Sequence, residues 1–295
     1  ALGRSEDPGA DAPGCSDVRI DAHQHLWHPG RGDYGWMPVD DPILYRPYRP
    51  ADLAPILAEH GIEGTVLVQA APTIAETEYM LGLADACDWI LGVVGWVDFE
   101  EAEDRRALER LAGHPKFKGV RPMIQDIADV NWMLRADVQW GFRAVEELGL
   151  TFDALGFPRH LGNFLTILTR YPNMRTVVDH CMKPEIRNHS GDRFRAWADG
   201  MTRIAHETRA VCKFSGLVTE AGPDWTVDDL RPYADHVLSA FGPKRVMWGS
   251  DWPVCRLRAE YGQWLHAALA LTDGLDTPAK QAVFGGTAAD FYGLI

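Results

Sequence analysis

No stretch of this chain reaches the roughly 20 consecutive apolar residues that a membrane-crossing helix needs, so no membrane partner is expected. The N-terminus also lacks the basic-then-apolar layout of a secretory signal, and a cytoplasmic location is the expectation. Cysteine is scarce. Cys15, Cys87, Cys181, Cys212 and Cys255 are odd in number and show no CxxC spacing, which leaves neither a disulfide framework nor a zinc ribbon. Reduced, mostly buried thiols are expected instead. Basic residues are the minority charge, 29 against 42 acidic, and the net charge of −13 disfavours nucleic acid or anionic lipid as a partner. Neither GxGxxG nor GxxxxGK follows any candidate strand, so a nucleotide site has no support.

What is present is an ordinary globular composition, 46% hydrophobic and 24% charged, in 295 residues. That length suits one α/β barrel, a fold that runs to roughly 250 residues as a single domain. Residues 1–17 carry Gly, Pro, Asp and Ser with almost no apolar content and read as a mobile leader; residues 18–295 read as one domain. Within it, short β-rich apolar runs alternate with stretches whose apolar residues recur at spacings of three and four. The runs are residues 18–26, 64–70, 90–97, 117–124, 151–157, 174–181, 210–217 and 245–250. Gly61, Gly149 and Gly242 follow helical stretches as stops. Eight strands, each followed by a helix, close most simply as a (β/α)8 TIM barrel, whose active sites sit where the strands end; an open doubly wound sheet is the rival. The long segment 26–48, rich in Trp, Tyr, Pro and Asp, reads as a substrate wall or lid.

The strand ends carry the chemistry. His23-Gln24-His25 closes the first run, and residues two apart on an extended strand point to the same side, so both imidazoles can converge on one metal ion. The fourth run ends in Arg121 and Gln125, and the fifth supplies Asp153. The sixth offers Asp179 and His180, the seventh Lys213 and Ser215, and the eighth Asp251. Arg121, inside the apolar KGVRPMI, needs an anion, several acceptors or an internal pair with Asp153 to offset its burial. Lys213 in VCKFSG raises the same question and reads as a substrate or supporting group. Asp251, in a tight turn before Pro253, is placed at the mouth of the pocket. Trp27, Trp36, Trp96 and Trp252 also lie at or beyond strand ends, where flat aromatic faces suit sugar rings and small apolar acids alike. Trp27, Trp36, Gln125, Lys213 and Trp252 are the candidate substrate contacts; His160 has no assigned role.

DAHQHLW, VVDHCMKP, VCKFSGL and GSDWPVC occur in this order, with GVVGWVD, GVRPMIQ and GGTAADFY among them. Together they resemble the amidohydrolase superfamily, specifically its amidohydrolase-2-type sugar lactonases of the L-fuconolactonase and L-rhamnonolactonase kind. The likeness spans nearly all of residues 18–294. It implies a distorted barrel whose members hydrolyse lactones, amides and esters or decarboxylate aromatic acids. It makes His23 and His25 the first-strand metal pair, His180 the later histidine, and Asp251 the eighth-strand aspartate that takes the proton of the attacking water. The chain departs from the two-metal pattern: Arg121 stands where a bridging lysine would, and Asp153 has no histidine beside it. One divalent ion, zinc before others, held by His23, His25, His180 and Asp251, is therefore expected, or a site that works with little or no metal. The implied reaction is hydrolysis of a sugar-acid lactone. Asp251 is the base, and Arg121, His180 and any metal polarise the carbonyl. A pyrone or muconolactone-type lactonase and a metal-dependent decarboxylase are the alternatives on the same scaffold, and a non-catalytic sugar-binding barrel is the alternative outside it. The sequence leaves the particular sugar and the oligomeric state open.

Overall fold

Each of the eight apolar runs contains a strand: β1 (Ile20–Gln24), β2 (Gly64–Val68), β3 (Ile90–Gly95), β4 (Phe117–Val120), β5 (Thr151–Ala154), β6 (Arg175–Val178), β7 (Val211–Phe214) and β8 (Val246–Trp248). A computed structural model describes residues 18–295, so the expected leader, residues 1–17, and Cys15 lie outside the described residues. The strands pair in chain order, every pair parallel. The two ends of the sheet meet just beyond β8, where Asp251 N–H donates to the His23 carbonyl at 2.8 Å and His25 N–H to the Trp252 carbonyl at 2.7 Å. A single-domain (β/α)8 barrel is the result.

Ile20, Ala22, Val66, Val68, Val94, Val177 and Met247 pack against one another, and Ala288 and Tyr292 near the C-terminus pack on the same cluster. The larger apolar cluster lies between the strands and the surrounding helices α1 (Pro50–His60), α2 (Ile74–Ala86), α3 (Arg105–Ala112), α4 (Gln139–Glu147), α5 (Leu161–Arg170) and α6 (Gly191–Glu207). Beyond these come the single turn α7 (Leu217–Glu220), then α8 (Val227–Phe241), α9 (Tyr261–Leu271), α10 (Thr277–Gln281) and α11 (Thr287–Tyr292). Helix starts follow local chemistry: Thr73 and Ser190 accept hydrogen bonds from the backbone N–H of Glu76 and Arg193, and Thr226 and Asp229 form a reciprocal cap. Gly61 ends α1 at φ 64°, a left-handed conformation that costs glycine little. His160 is structural in its visible contacts, its Nδ1 accepting from the Phe157 N–H at 3.0 Å. Cys87, Cys181, Cys212 and Cys255 are free, the last three buried.

Candidate active site

The geometry of the site begins with an irregularity in β1. From Asp21 to Gln24 the first strand advances three residues while the paired second strand advances two, from Thr65 to Leu67. In a regular strand that turns Ala22 inward, His23 would face outward with Asp21. The extra residue lets Ala22 and His23 both face the barrel interior, as bulges beside active sites commonly re-aim a side chain. Asp21 stays behind, its Oδ1 accepting from the backbone N–H groups of His23 (3.1 Å) and Ser250 (2.8 Å) and its Oδ2 from Tyr261 Oη (3.0 Å). Burial raises its pKa to about 6 despite these donors.

His180 arrives by a different device. It opens a run of four consecutive non-glycine residues in the left-handed region, His180, Cys181, Met182 and Lys183, at φ 51°, 51°, 58° and 47°. Such residues cost roughly 1–2 kcal/mol each, so their surroundings must hold them. Lys183 N–H closes the turn onto the His180 carbonyl at 2.8 Å, and the Trp197 indole donates to the Cys181 carbonyl at 2.7 Å. Ser215 contacts His180 Nδ1 at 2.8 Å, and Gly216 lies so close that a Cβ there would sit 2.8 Å from the His180 Cβ and Cγ. Gly249 does the same for the first histidine, its missing Cβ falling 2.8 Å from His23 Cβ and 3.0 Å from His23 N.

Asp251, itself left-handed at φ 55°, completes the group. Its Oδ1 lies 3.3 Å from His25 Nε2, 3.7 Å from His23 Nε2 and 3.9 Å from His180 Nε2, so three imidazoles face one carboxylate oxygen. Burial acts to raise the Asp251 pKa, but the surrounding imidazoles, His180 foremost, outweigh it and hold the carboxyl well below the usual carboxylate range. Burial lowers His180 to about 4 and also lowers His25 and His23. An ionised carboxylate among neutral imidazoles is the consistent state near neutrality.

Donor atoms of His23, His180 and Asp251 all lie within 4.8 Å of one another, and imidazole with carboxylate is an ordinary donor set for zinc. His25 donates Nδ1–H to the Val68 carbonyl at 2.7 Å, which leaves the Nε2 lone pair facing the site, as metal-ligating histidines are arranged. By donor chemistry the group His23, His180 and Asp251 fits a divalent ion, with His25 Nε2 beside it at 3.3 Å from Asp251 Oδ1. The surroundings of His23 differ and are considered below.

Arg121 does not pair with Asp153. Its guanidinium donates through Nε to Gln69 Oε1 at 2.9 Å, through Nη2 to the Gln69 carbonyl, and through Nη1 to Asp179 Oδ2 at 3.2 Å. A guanidinium carries five N–H bonds; Nη1 also lies 3.4 Å from His23 Nε2, so one N–H, the second on Nη2, has no partner among the described residues and remains for the site. Asp153 instead meets Lys213 at 2.5 Å and accepts from Tyr292 Oη at 2.9 Å. Lys213 also lies 3.2 Å from Asp179 Oδ1 and 3.1 Å from His23 Nδ1.

Above this layer opens a cavity of about 140 Å3 with His25, His180, Arg121 and Asp251 at its base and Trp27, Trp36, Gln125 and Lys183 around it. Two expected substrate contacts are corrected here. Lys213 is fully buried below the cavity, where its charge is met by Asp153 and Asp179, and Trp252 is 2% exposed and packs edge-on against Tyr48 at 4.9 Å. Neither lines the cavity. His23 also sits beneath the lining. The cavity adds Lys183, which donates to Gln125 Oε1 at 2.5 Å. Its place within VVDHCMKP was visible in the sequence, but nothing there signalled the left-handed turn that brings it over the pocket.

The family model described as Amidohydrolase matches residues 20–294. A protein of Burkholderia ambifaria named L-fucono-1,5-lactonase is 41% identical over 278 residues, covering 93% of this chain and 95% of its own. Another of that name from Burkholderia multivorans is 34% identical over 296 residues, covering 94% and 96%. The crystal structure of an amidohydrolase from Burkholderia multivorans with bound zinc superposes with a TM-score of 0.88 at 33% identity, covering 94% of this chain and 100% of that one. With the match running from the bulged first strand to the C-terminal helix, the chain belongs to the amidohydrolase family.

Proposed function

We propose that the protein hydrolyses the ring ester of a sugar-acid lactone to the open-chain acid, and that its substrates are aldonolactones of the kind named for its relatives, with L-fucono-1,5-lactone the first to test. The observation that carries this reading is the Asp251 carboxylate, faced by three imidazoles at 3.3–3.9 Å at the base of a cavity that also holds a guanidinium. Ester hydrolysis needs a base for water and donors for the oxyanion, and these groups supply both.

In this mechanism Asp251 takes a proton from water as its oxygen attacks the lactone carbonyl. The uncommitted N–H on Arg121 Nη2 meets the developing oxyanion, and the hold of Gln69 and Asp179 on the rest of the guanidinium keeps the fork in place before reaction begins. When the ring C–O bond breaks, the proton held on Asp251 passes to the leaving alkoxide, which becomes a hydroxyl of the product. Trp27 and Trp36 offer flat faces to the sugar ring, and Gln125 and Lys183 offer polar contacts to its hydroxyls. A zinc ion, were it bound by His23, His180 and Asp251, would add Lewis acidity at the carbonyl and lower the pKa of bound water.

The test is a panel of aldonolactones followed by acid release with a pH indicator. Turnover of six-membered sugar lactones supports the reading. Release of CO2 from an aromatic acid, with no lactone turned over, would replace it with the decarboxylase alternative.

A further inference from the structure

The two histidines of the first strand face each other nitrogen to nitrogen, His23 Nε2 and His25 Nε2 lying 3.2 Å apart. Two nitrogens at that distance share either a proton or an ion. Which one follows from the far side of each ring. His25 Nδ1 is 2.7 Å from the Val68 carbonyl, an acceptor only, so His25 carries its proton on Nδ1 and presents a lone pair at Nε2. His23 Nδ1 is 3.1 Å from Lys213 Nζ. An ammonium is a donor only, and the Lys213 Nζ sits between two carboxylates, Asp153 at 2.5 Å and Asp179 at 3.2 Å. Among the described residues the other group near the same ring nitrogen is Asp179 Oδ1, which at 3.7 Å is farther than the ammonium and itself lies 3.2 Å from that ammonium. His23 Nδ1 must therefore accept, and the proton of the neutral ring belongs on Nε2, where His25 offers its lone pair. Arg121 Nη1 lies 3.4 Å from His23 Nε2, farther than either of these contacts, and it already donates to Asp179.

We propose that Lys213 is a positioning residue that sets a one-directional chain of hydrogen bonds, Lys213 to His23 to His25 to the Val68 carbonyl, and thereby holds the first-strand histidines as a hydrogen-bonded pair instead of a metal chelate. A metal-ligating histidine almost always donates its other ring N–H to an acceptor; His23 meets a cation there. The chain uses the lone pairs of both imidazoles and leaves Asp251 as the free base of the pocket. It goes beyond the lactonase reading and holds whatever the substrate.

The experiment begins with the wild-type protein, freed of metal by chelation and labelled with 15N-histidine. Long-range proton–nitrogen correlation reads the tautomer of each ring, and His23 is assigned by the loss of its signals in His23→Gln. The proposal expects the proton of His23 on Nε2 and that of His25 on Nδ1; a His23 protonated on Nδ1, or on both nitrogens, overturns it. Lys213→Met is then compared by the same spectra and by competition for zinc against a chromophoric chelator. Its His23 proton should move to Nδ1, with Asp179 Oδ1 as the new acceptor, and zinc should bind at least about tenfold tighter. Unchanged tautomer with unchanged zinc affinity overturns the proposal. Should that variant fail to fold, because it leaves Asp153 and Asp179 without their cation, the wild-type spectrum decides alone. Lactone turnover enters none of these readouts, so a failure here and a failure of the proposed reaction are separable.

Discussion

Asp21 Oδ1 accepts a hydrogen bond from the Ser250 N–H at 2.8 Å, joining the first strand to the turn that follows the last. The same oxygen holds the His23 N–H at 3.1 Å, so one buried carboxylate fixes both the seam of the barrel and the backbone of the first histidine. Asp21→Ala should cost about 2–4 kcal/mol, because two buried N–H groups and the Tyr261 hydroxyl lose their acceptor. Asp21→Asn can keep the Oδ1 contacts and should fold. Burial raises the folded pKa from 3.8 to about 6, so between these values the folded state binds more protons than the unfolded state. Stability from this group is full at the acid side and falls as pH rises through the window, by up to about 3 kcal/mol. Urea unfolding at about pH 4 and pH 7 should show wild type losing ground to Asp21→Asn on going up; a constant difference would mean that Asp21 ionises as it does in water.

Gly249→Ala tests the close approach of β8's end to the first histidine. The added Cβ would meet His23 Cβ at 2.8 Å and His23 N at 3.0 Å, and the backbone atom cannot swing aside as a side-chain tip can. We expect about 1–3 kcal/mol of destabilisation and a kcat reduced at least tenfold from a misplaced His23 and Asp251. Full activity with normal stability would show that the seam has slack.

Asp251→Asn removes the base while keeping the shape of the turn. Near pH 7 kcat should fall by about 10² to 10⁴, with KM changed little, since the water proton has no other ionised acceptor at the cavity base. Stopped assays at substrate saturation measure this. A variant within a few-fold of wild type would move the base elsewhere, to His180 before any other residue.

The sequence made much of this architecture readable because each strand is short, apolar and bounded by turn chemistry, and because the polar residues at strand ends have no apolar alternative use. His23, His25, His180 and Asp251, which the structure brings together, stood out in the sequence for that reason. What stayed hidden depended on backbone geometry. The bulge at residues 21–24 leaves no composition signal, yet without it the HxH spacing would have turned both rings away from Ala22's side of the strand. Lys183 was missed because a left-handed run of His-Cys-Met-Lys contradicts every local propensity. Lys213 and Trp252 were misplaced as substrate contacts because a strand-end position does not say how deep a side chain lies; the long lysine reaches down to two aspartates and the indole turns to Tyr48.

Trp36, in the long segment after β1, is 39% exposed and donates its indole N–H to the Ala70 carbonyl at 2.6 Å, standing at the cavity wall away from Asp251. Trp36→Ala should raise KM several-fold, about 1 kcal/mol of ring contact, and leave kcat nearly unchanged. A parallel fall in kcat would show that the segment closes over the substrate and helps to set the reacting geometry.

Metal removal weighs the two ways in which the site can polarise a carbonyl. If the hydrogen-bond chain from Lys213 occupies the first-strand pair, the oxyanion is met by Arg121, whose fork is fixed by Gln69 and Asp179 without any ion. Prolonged dialysis against a strong chelator, checked by elemental analysis, should then leave kcat/KM for the best lactone within about threefold, whereas loss of a required Lewis acid would remove several kcal/mol of transition-state stabilisation. Added zinc should inhibit at concentrations where it binds, because ligation of Asp251 withdraws the carboxylate from its role as base. Activity that disappears on dialysis and returns in proportion to zinc would assign the carbonyl to the ion and leave Arg121 with the hydroxyls.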